Sequence, residues 1–320
     1  MIWLTWRQQR LEALIGAAVL AALTTLLILT ERHIAAVYQH AHLGACTFGH
    51  ADSSSCSDNV LQFTSRFSNL VNLTNWFNLV PLLLGILVAA PIVLEFEHGT
   101  HRLAWTQTIT RRRWLATRLV LALALAAAAA IAFTMLMTWW RGPFDHLGGR
   151  FTTDAYDFEG TVPVAYTIFA ASVVLAVGTI LRRTLPAIAI TLVSFLVLRL
   201  SIEGWARFNF LAPLHKTWTP GTRPPTGESS GWISDSGISL PANLHGGPSM
   251  LARTCGLTNT SPEQLVASGP CLRTHGILEY AVYQPASRFW TFQAIETSIF
   301  IAIAAALLAT TIWWANHRLT

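Results

Sequence analysis

The stretch LEFEHGTHRLAWTQTITRRRWLATRL, Leu94 to Leu119, joins two long apolar runs through a short link carrying two glutamates, a Gly-Thr pair and five arginines. The run before it, Phe77 to Leu94, and the run after it, Leu119 to Trp140, carry almost no charge. Each is long enough to cross a hydrocarbon core of roughly 30 Å. The link is therefore pinned at a membrane face, and its arginines assign that face to the cytoplasm.

Working outward, further apolar runs lie at 13–30, 162–181, 185–200 and 289–314, which with 77–94 and 119–140 predict six spans. An even number places both termini on one side. Arg7, Arg10, Arg102, Arg111, Arg112, Arg113, Arg118, Arg182, Arg183 and Arg318 fall in short segments on the side of the termini, which predicts that both are cytoplasmic. Segments 31–76 and 201–288 then become two long extracytoplasmic loops, and 95–118 a cytoplasmic one. The fold class expected is an all-α membrane protein forming a single transmembrane domain over residues 1–320.

Composition supports this. With 52% hydrophobic and 12% charged residues and a mean hydropathy of +0.45, the chain is too apolar for a soluble domain. A net charge of +5 would point to nucleic acid in a soluble protein. Here the arginines sit where anionic headgroups attract them, so membrane lipids are the expected partner and nucleic acid is not. The single lysine, Lys216, among many arginines and the abundance of alanine fit a high-GC bacterial genome and hence a plasma-membrane location.

The opening MIWLTWRQQR resembles no cleavable signal, because Trp3, Leu4 and Trp6 precede the arginines. It reads as a short interfacial helix over 1–12, with Trp3 and Trp6 at headgroup depth and Arg7 and Arg10 facing phosphate. Cys46 and Cys56 share the first external loop, and Cys255 and Cys271 the last. Of the three possible pairings, the two local ones close short loops in an oxidising exterior and are the ones expected. The last loop is rich in Pro, Gly, Ser and Thr, which predicts irregular chain with one short helix from Pro262 to Ala267.

The link itself predicts a short amphipathic helix over 100–108. Glu95 and Glu97 end one span, Gly99 allows a turn, Thr100 caps, and Trp105 and Ile109 offer apolar contacts before Arg111, Arg112 and Arg113 begin the next span. By composition alone, this is either a docking surface or an ordinary cytoplasmic loop.

The wording GTHRLAWTQTITRRRW, the opening MIWLTWRQQR and the approach to the last span, YQPASRFWTFQAIE (Tyr283 to Glu296), together resemble type-2 ABC exporter permeases, especially an actinobacterial group. The resemblance implies an interfacial elbow helix at the N-terminus. It also implies that Glu95, Glu97, Gly99, Thr100, Arg102, Trp105, Ile109 and Arg111 to Arg113 form the coupling segment that docks in a separate cytoplasmic ATPase. The working unit would hold two permeases, expected as a homodimer, and two ATPases. No G-x-x-x-x-G-K-[ST] loop is present, so ATP and Mg2+ belong to the partner and this chain is not expected to be an enzyme. The expected function is outward movement of an amphipathic small molecule, peptide or lipid. The alternatives are an ABC-type sensor or immunity protein that binds a toxic peptide, and an intramembrane enzyme.

For cargo, Gln293 and Glu296 share a helix face in the last span, where a carboxylate is costly unless paired or wet. Asn72 and Asn78 belong to a series of four asparagines spread over half a helix circumference, a broad polar approach. These four residues are the candidate pathway, and Glu296 favours cationic or neutral cargo. Arg199, Glu203 and Arg207 at i, i+4 and i+8 predict mutual neutralisation on one helix face. His33, His40, His42 and His50 show no ligand spacing, and neither a metal site nor a catalytic residue is assigned.

Overall fold

The structure, a computed structural model, describes residues 2–46, 54–99, 111–153, 155–220, 231–239, 254–256 and 262–318. Eight helices account for most of it: α1 (Ile2–His40), α2 (Ser54–Thr74), α3 (Val80–Glu97), α4 (Arg111–Gly148), α5 (Val162–Leu181), α6 (Thr184–Ser201), α7 (Pro262–Thr274) and α8 (Phe289–His317). Among the described residues, five helical stretches are long and apolar enough to cross a membrane: Asp58–Glu97, Arg113–Gly148, Val162–Leu181, Thr184–Asn209 and Ala286–His317.

Helix α5 is the hub. It carries no charged residue along its length, is buried over most of its surface, and packs against α3, α4, α6 and α8. A helix apolar all round belongs in such an interior. Small residues set the spacing to α3. A side chain at Gly85 would meet the Thr167 carbonyl at 2.7 Å and Ala171 N at 2.8 Å, and one at Gly178 would overlap Val93. With no water to squeeze out, helices in a bilayer associate through close backbone approach of this kind.

Three expectations change. Segment 31–76 is not a long loop: α1 continues to His40, and α2 runs through a 3₁₀ turn (Asn75–Leu79) into α3. The cause is an apolar stripe on α2, in which Phe63 and Phe67 bury against Leu27, Ile34 and Trp140. The Cys46–Cys56 disulfide, Cα to Cα 5.8 Å, ties α2 to the end of α1. Nor is the N-terminal elbow a separate element, since α1 is unbroken across residue 12.

The third change is that the protein is mostly helical but not all-α. Segment 201–288 folds a three-stranded antiparallel sheet from β1 (Leu214–Trp218), β2 (Trp232–Ser239) and β3 (Leu278–Gln284), in the order β1-β3-β2. The central strand LEYAVYQ alternates, burying Ala281 and Tyr283 on one face. Gln284 fastens the sheet to the bundle: its Nε2 donates to the carbonyls of Phe208 (3.0 Å) and Leu211 (2.6 Å), and Oε1 accepts from Arg288 (2.6 Å). The predicted helix at Pro262 starts there but runs on to Thr274, held by the Cys255–Cys271 disulfide.

The close α3–α5 approach has a direct consequence. Replacing Gly85 by Leu is expected to lower the stability of the purified protein by roughly 1–3 kcal/mol through overpacking. The same change at exposed Gly142, where an added Cβ meets nothing within 4 Å, is expected to be much milder. Melting curves in detergent compare the two.

Candidate functional site

Two constellations sit at opposite ends of α6. The first is the base of the loop that joins α3 to α4. Glu95 Oε1 bridges Arg118 Nη2 at 2.9 Å, joining α3 to α4 just where the two helices flank the loop. Phe96 meets Trp114 edge-on at 6.1 Å beside that pair. Glu97 Oε2 turns the other way and accepts from Thr184 N (2.9 Å) and Thr184 Oγ1 (2.6 Å), capping the first turn of α6. Gly99 follows with φ +70°, a left-handed turn that a Cβ would strain. Thr100, Arg102, Trp105 and Ile109, the predicted helix around them, and the side chains of Arg111 and Arg112 lie outside the described residues. Arg113 is exposed.

The second constellation is a buried charge cluster. Arg207 is fully buried, and its Nε and Nη2 each donate to a Glu296 carboxylate oxygen at 2.8 Å, a fork-on-carboxylate arrangement. Nη2 also reaches Asp157 Oδ1 (2.7 Å) and Tyr166 OH (3.0 Å). Arg199 takes the other Asp157 oxygen at 2.8 Å and donates to the Asn78 carbonyl at 2.9 Å. Tyr166 OH closes the ring on Glu296 at 2.5 Å. Two guanidiniums therefore face two carboxylates, and the net charge of this core is zero.

Local geometry explains how Arg207 gets there. A straight helix would leave Arg199, Glu203 and Arg207 along one face, as the sequence spacing predicts. Instead a π turn (Ile202–Ala206) and a 3₁₀ turn (Arg207–Asn209) follow α6 and rotate Arg207 into the interior, over the Tyr156 ring at 4.5 Å. Glu203 stays at the margin, 3.9 Å from Arg199. The trio is thus not self-contained; Asp157 and Glu296 neutralise it.

Glu296 is 0% exposed, as is Gln293. Gln293 Oε1 accepts from the backbone of Thr161 (2.9 Å) and Val162 (3.0 Å), capping α5 from α8, while its Nε2 donates to the Tyr156 carbonyl. A side chain at Gly160, φ +71°, would run into this amide at 2.6 Å. Of the candidate pathway residues, Asn78 and Glu296 therefore join one cluster with Gln293 beside it. Asn72 lies apart, exposed on α2 at the rim of a separate cavity.

Asp157 and Tyr166 were missed by the sequence reading. A signal for the acid existed: Arg199 and Arg207 together carry one charge more than Glu203 offsets, so a further carboxylate was owed from outside the helix. Burial pushes the Asp157 carboxyl up, but Arg207 and Arg199 outweigh it and hold it below the usual carboxylate range. Glu159, two residues on, goes the opposite way. Burial, with a hydrogen bond to Asp145 and the Asp145 charge, pushes its pKa up to about 9 against the pull of Arg141 and Arg150.

Elsewhere, Cys255, Cys271 and His275 place ligand atoms within 4.8 Å of one another, but the two sulfurs form a disulfide and offer no thiolate. The string Gly227–Gly231 matches G-x-S-x-G. It leads into β2, whereas a nucleophile elbow links a strand to a following helix.

Residues 17–207 of the chain match the family described as ABC-2 membrane transporter related. The chain belongs to that family. No curated protein and no solved structure matches the chain. As an ABC-2 relative with at least five membrane-long apolar helices, it is a multi-pass membrane protein. The matched region holds the base of the α3–α4 loop and most of the charge cluster, and it ends at Arg207. Glu296, Gln293 and the sheet lie beyond it.

Two outcomes follow. Glu296→Leu alone strands Arg207 with a surplus charge in the interior and is expected to cost about 3–5 kcal/mol, whereas Glu296→Leu with Arg207→Met leaves Asp157 paired to Arg199 and is expected to recover much of that loss. A double-mutant cycle on thermal or denaturant unfolding measures the coupling. For Glu159, a carboxyl protonated in the fold and ionised when exposed takes up a proton on folding. Stability is then expected to fall as pH rises from the ordinary value of 4.5 through about 9. Melting curves from pH 5 to 9.5 should show that slope in the wild type and a flatter one in Glu159→Gln.

Proposed function

We propose that this chain is the membrane-spanning permease subunit of an ATP-driven exporter, working as a homodimer with two copies of a separate cytoplasmic ATPase. The observation that carries the reading is the construction of the loop base within a chain of the ABC-2 family. Glu95–Arg118 locks together the helices on either side of the loop, and Glu97 ties the loop to the start of α6. A loop braced at both ends against three helices can pass a push from a docked partner into the bundle. An unbraced loop would absorb it.

In this reading α1 supplies a sixth span, both termini are cytoplasmic, and the sheet and disulfides face outward from a bacterial plasma membrane. The short arginine-rich segments support that orientation, and the two cysteine pairs suit an oxidising side. The outer faces of α4 and α6 expose Val120, Met135, Leu185, Val193 and Val197, surfaces suited to lipid or to a second copy. ATP and Mg2+ are bound by the ATPase, and this chain carries no catalytic step.

Cargo is an amphipathic small molecule, peptide or lipid moving outward. The case for cationic cargo weakens, because the Glu296 carboxylate is already held by Arg207 and has no charge to spare. Trp105→Asp with Ile109→Asp is expected to abolish co-purification with the cognate ATPase while leaving membrane insertion at the wild-type level. Glu97→Gln should keep the ATPase bound yet cut cargo-stimulated hydrolysis several-fold, since it loosens the α6 cap and leaves the docking face intact. Undiminished co-purification of the Asp variant would remove the coupling assignment.

A further inference from the structure

A cavity of about 390 Å³ opens between α2 and the last turns of α4, away from the charge cluster. Its size is that of a small-ligand pocket. Val71, Phe144 and Leu147 give it apolar walls, while Asn72, Thr152 and Arg141 supply the polar positions.

Arg141 is the unusual member. It is 4% exposed, lines the cavity, and leaves both Nε and Nη1 without an acceptor. Its approach to Asp145, Nε to Oδ1 at 3.5 Å, is too long to satisfy either nitrogen, and Asp145 Oδ1 is itself without a partner. An idle buried N–H forfeits its water without replacement; Arg199 Nε and Arg207 Nη1 share that state, but each of those arginines also holds a carboxylate at 2.8 Å or less, which Arg141 does not. Asp145 is the nearest carboxylate to Arg141, and burial pushes both it and the neighbouring Glu159 carboxyl up, toward the neutral form. The Cys46–Cys56 disulfide ties the start of α2 to the end of α1 and so steadies one wall.

We propose that this cavity binds an amphiphile carrying one anionic group, phosphate or carboxylate, with the anion on Arg141 and the chain against Val71, Phe144 and Leu147. The site stands apart from the transport reading, because occupancy of the isolated chain requires no ATPase. The anion has two sources, an acidic phospholipid of the bilayer or a free amphiphile.

The test uses the full chain in phosphatidylcholine nanodiscs and follows its melting temperature, which rises with any ligand that binds only the folded state. Dodecyl phosphate is expected to raise it saturably. Dodecyltrimethylammonium and inorganic phosphate, which lack the anion or the chain, are not. Arg141→Gln removes the charge and Val71→Trp fills the cavity without touching it; each is expected to weaken binding by about ten-fold or more, while Arg141→Lys keeps part of it. Should Arg141→Gln fail to fold, Val71→Trp and Arg141→Lys carry the comparison. Stabilisation by nanodiscs doped with phosphatidylglycerol assigns the site to lipid, and stabilisation by dodecyl phosphate alone assigns it to a free amphiphile. Equal response to cationic and anionic chains, saturation by inorganic phosphate alone, no saturable response to either anionic probe, or wild-type affinity in Val71→Trp overturns the proposal.

Discussion

Two arginines and two carboxylates buried in a membrane protein must cancel. Arg199 and Arg207 come from the end of α6 and the turns beyond it, Asp157 from the turn before α5, and Glu296 from the interior of α8. None of these segments can bury its charge alone, since an unpaired ion in low dielectric costs several kcal/mol. The structure around them follows from that requirement. The π turn aims Arg207 inward, Tyr166 joins Arg207 to Glu296 through its hydroxyl, and Gln293 caps α5 next to the turn that carries Asp157. Buried ion networks add little net stability compared with a well-packed apolar core. Their effect is to specify one arrangement, because any slip of α8 against the turns that follow α6 would part Glu296 from Arg207.

The helical frame was legible in the sequence because hydropathy depends on local composition alone. The boundaries of the runs at 77–94 and 162–181 agree closely with α3 and α5. Both disulfides were legible too, from the grouping of the cysteines into two segments. Segment 31–76 misled because its apolar positions form a stripe and not a block; Phe63 and Phe67 bury one face of α2 while the other stays polar, so average hydropathy sees a loop. The sheet was missed for a different reason. Its strands are short and carry Lys216, Asp235 and Glu279, and they become a sheet only through pairing of β3 with strands distant in the chain, β1 and β2.

At the site, Glu95 and Glu97 stand out in the sequence as the carboxylates that close a span, but their partners do not. Glu95 and Glu97 are two positions apart in a charged stretch, yet they point to different helices, and only the structure assigns Arg118 to one and Thr184 to the other. Glu296 was noticed as an expensive carboxylate, which is correct reasoning; the missing fact was its partner, since Arg207 lies 89 positions earlier. Pairings at that separation leave no periodic trace in a single sequence.

The two constellations share one element. Helix α6 begins at Thr184, held by Glu97 at the loop base, and delivers Arg199 fifteen residues later, a distance of about 22 Å along its axis. Its path between these ends contains no proline or glycine after Pro186, so it has no built-in hinge until the π turn at Ile202. In the proposed permease, α6 is thus a stiff link between the loop base and the charge cluster. The weakest backbone on that path is the π turn, whose hydrogen bonding is already displaced from the helical pattern. Beyond Arg199 the same line of contacts runs through the turns that carry Arg207 and, by the Phe208 and Leu211 carbonyls held by Gln284, reaches the sheet.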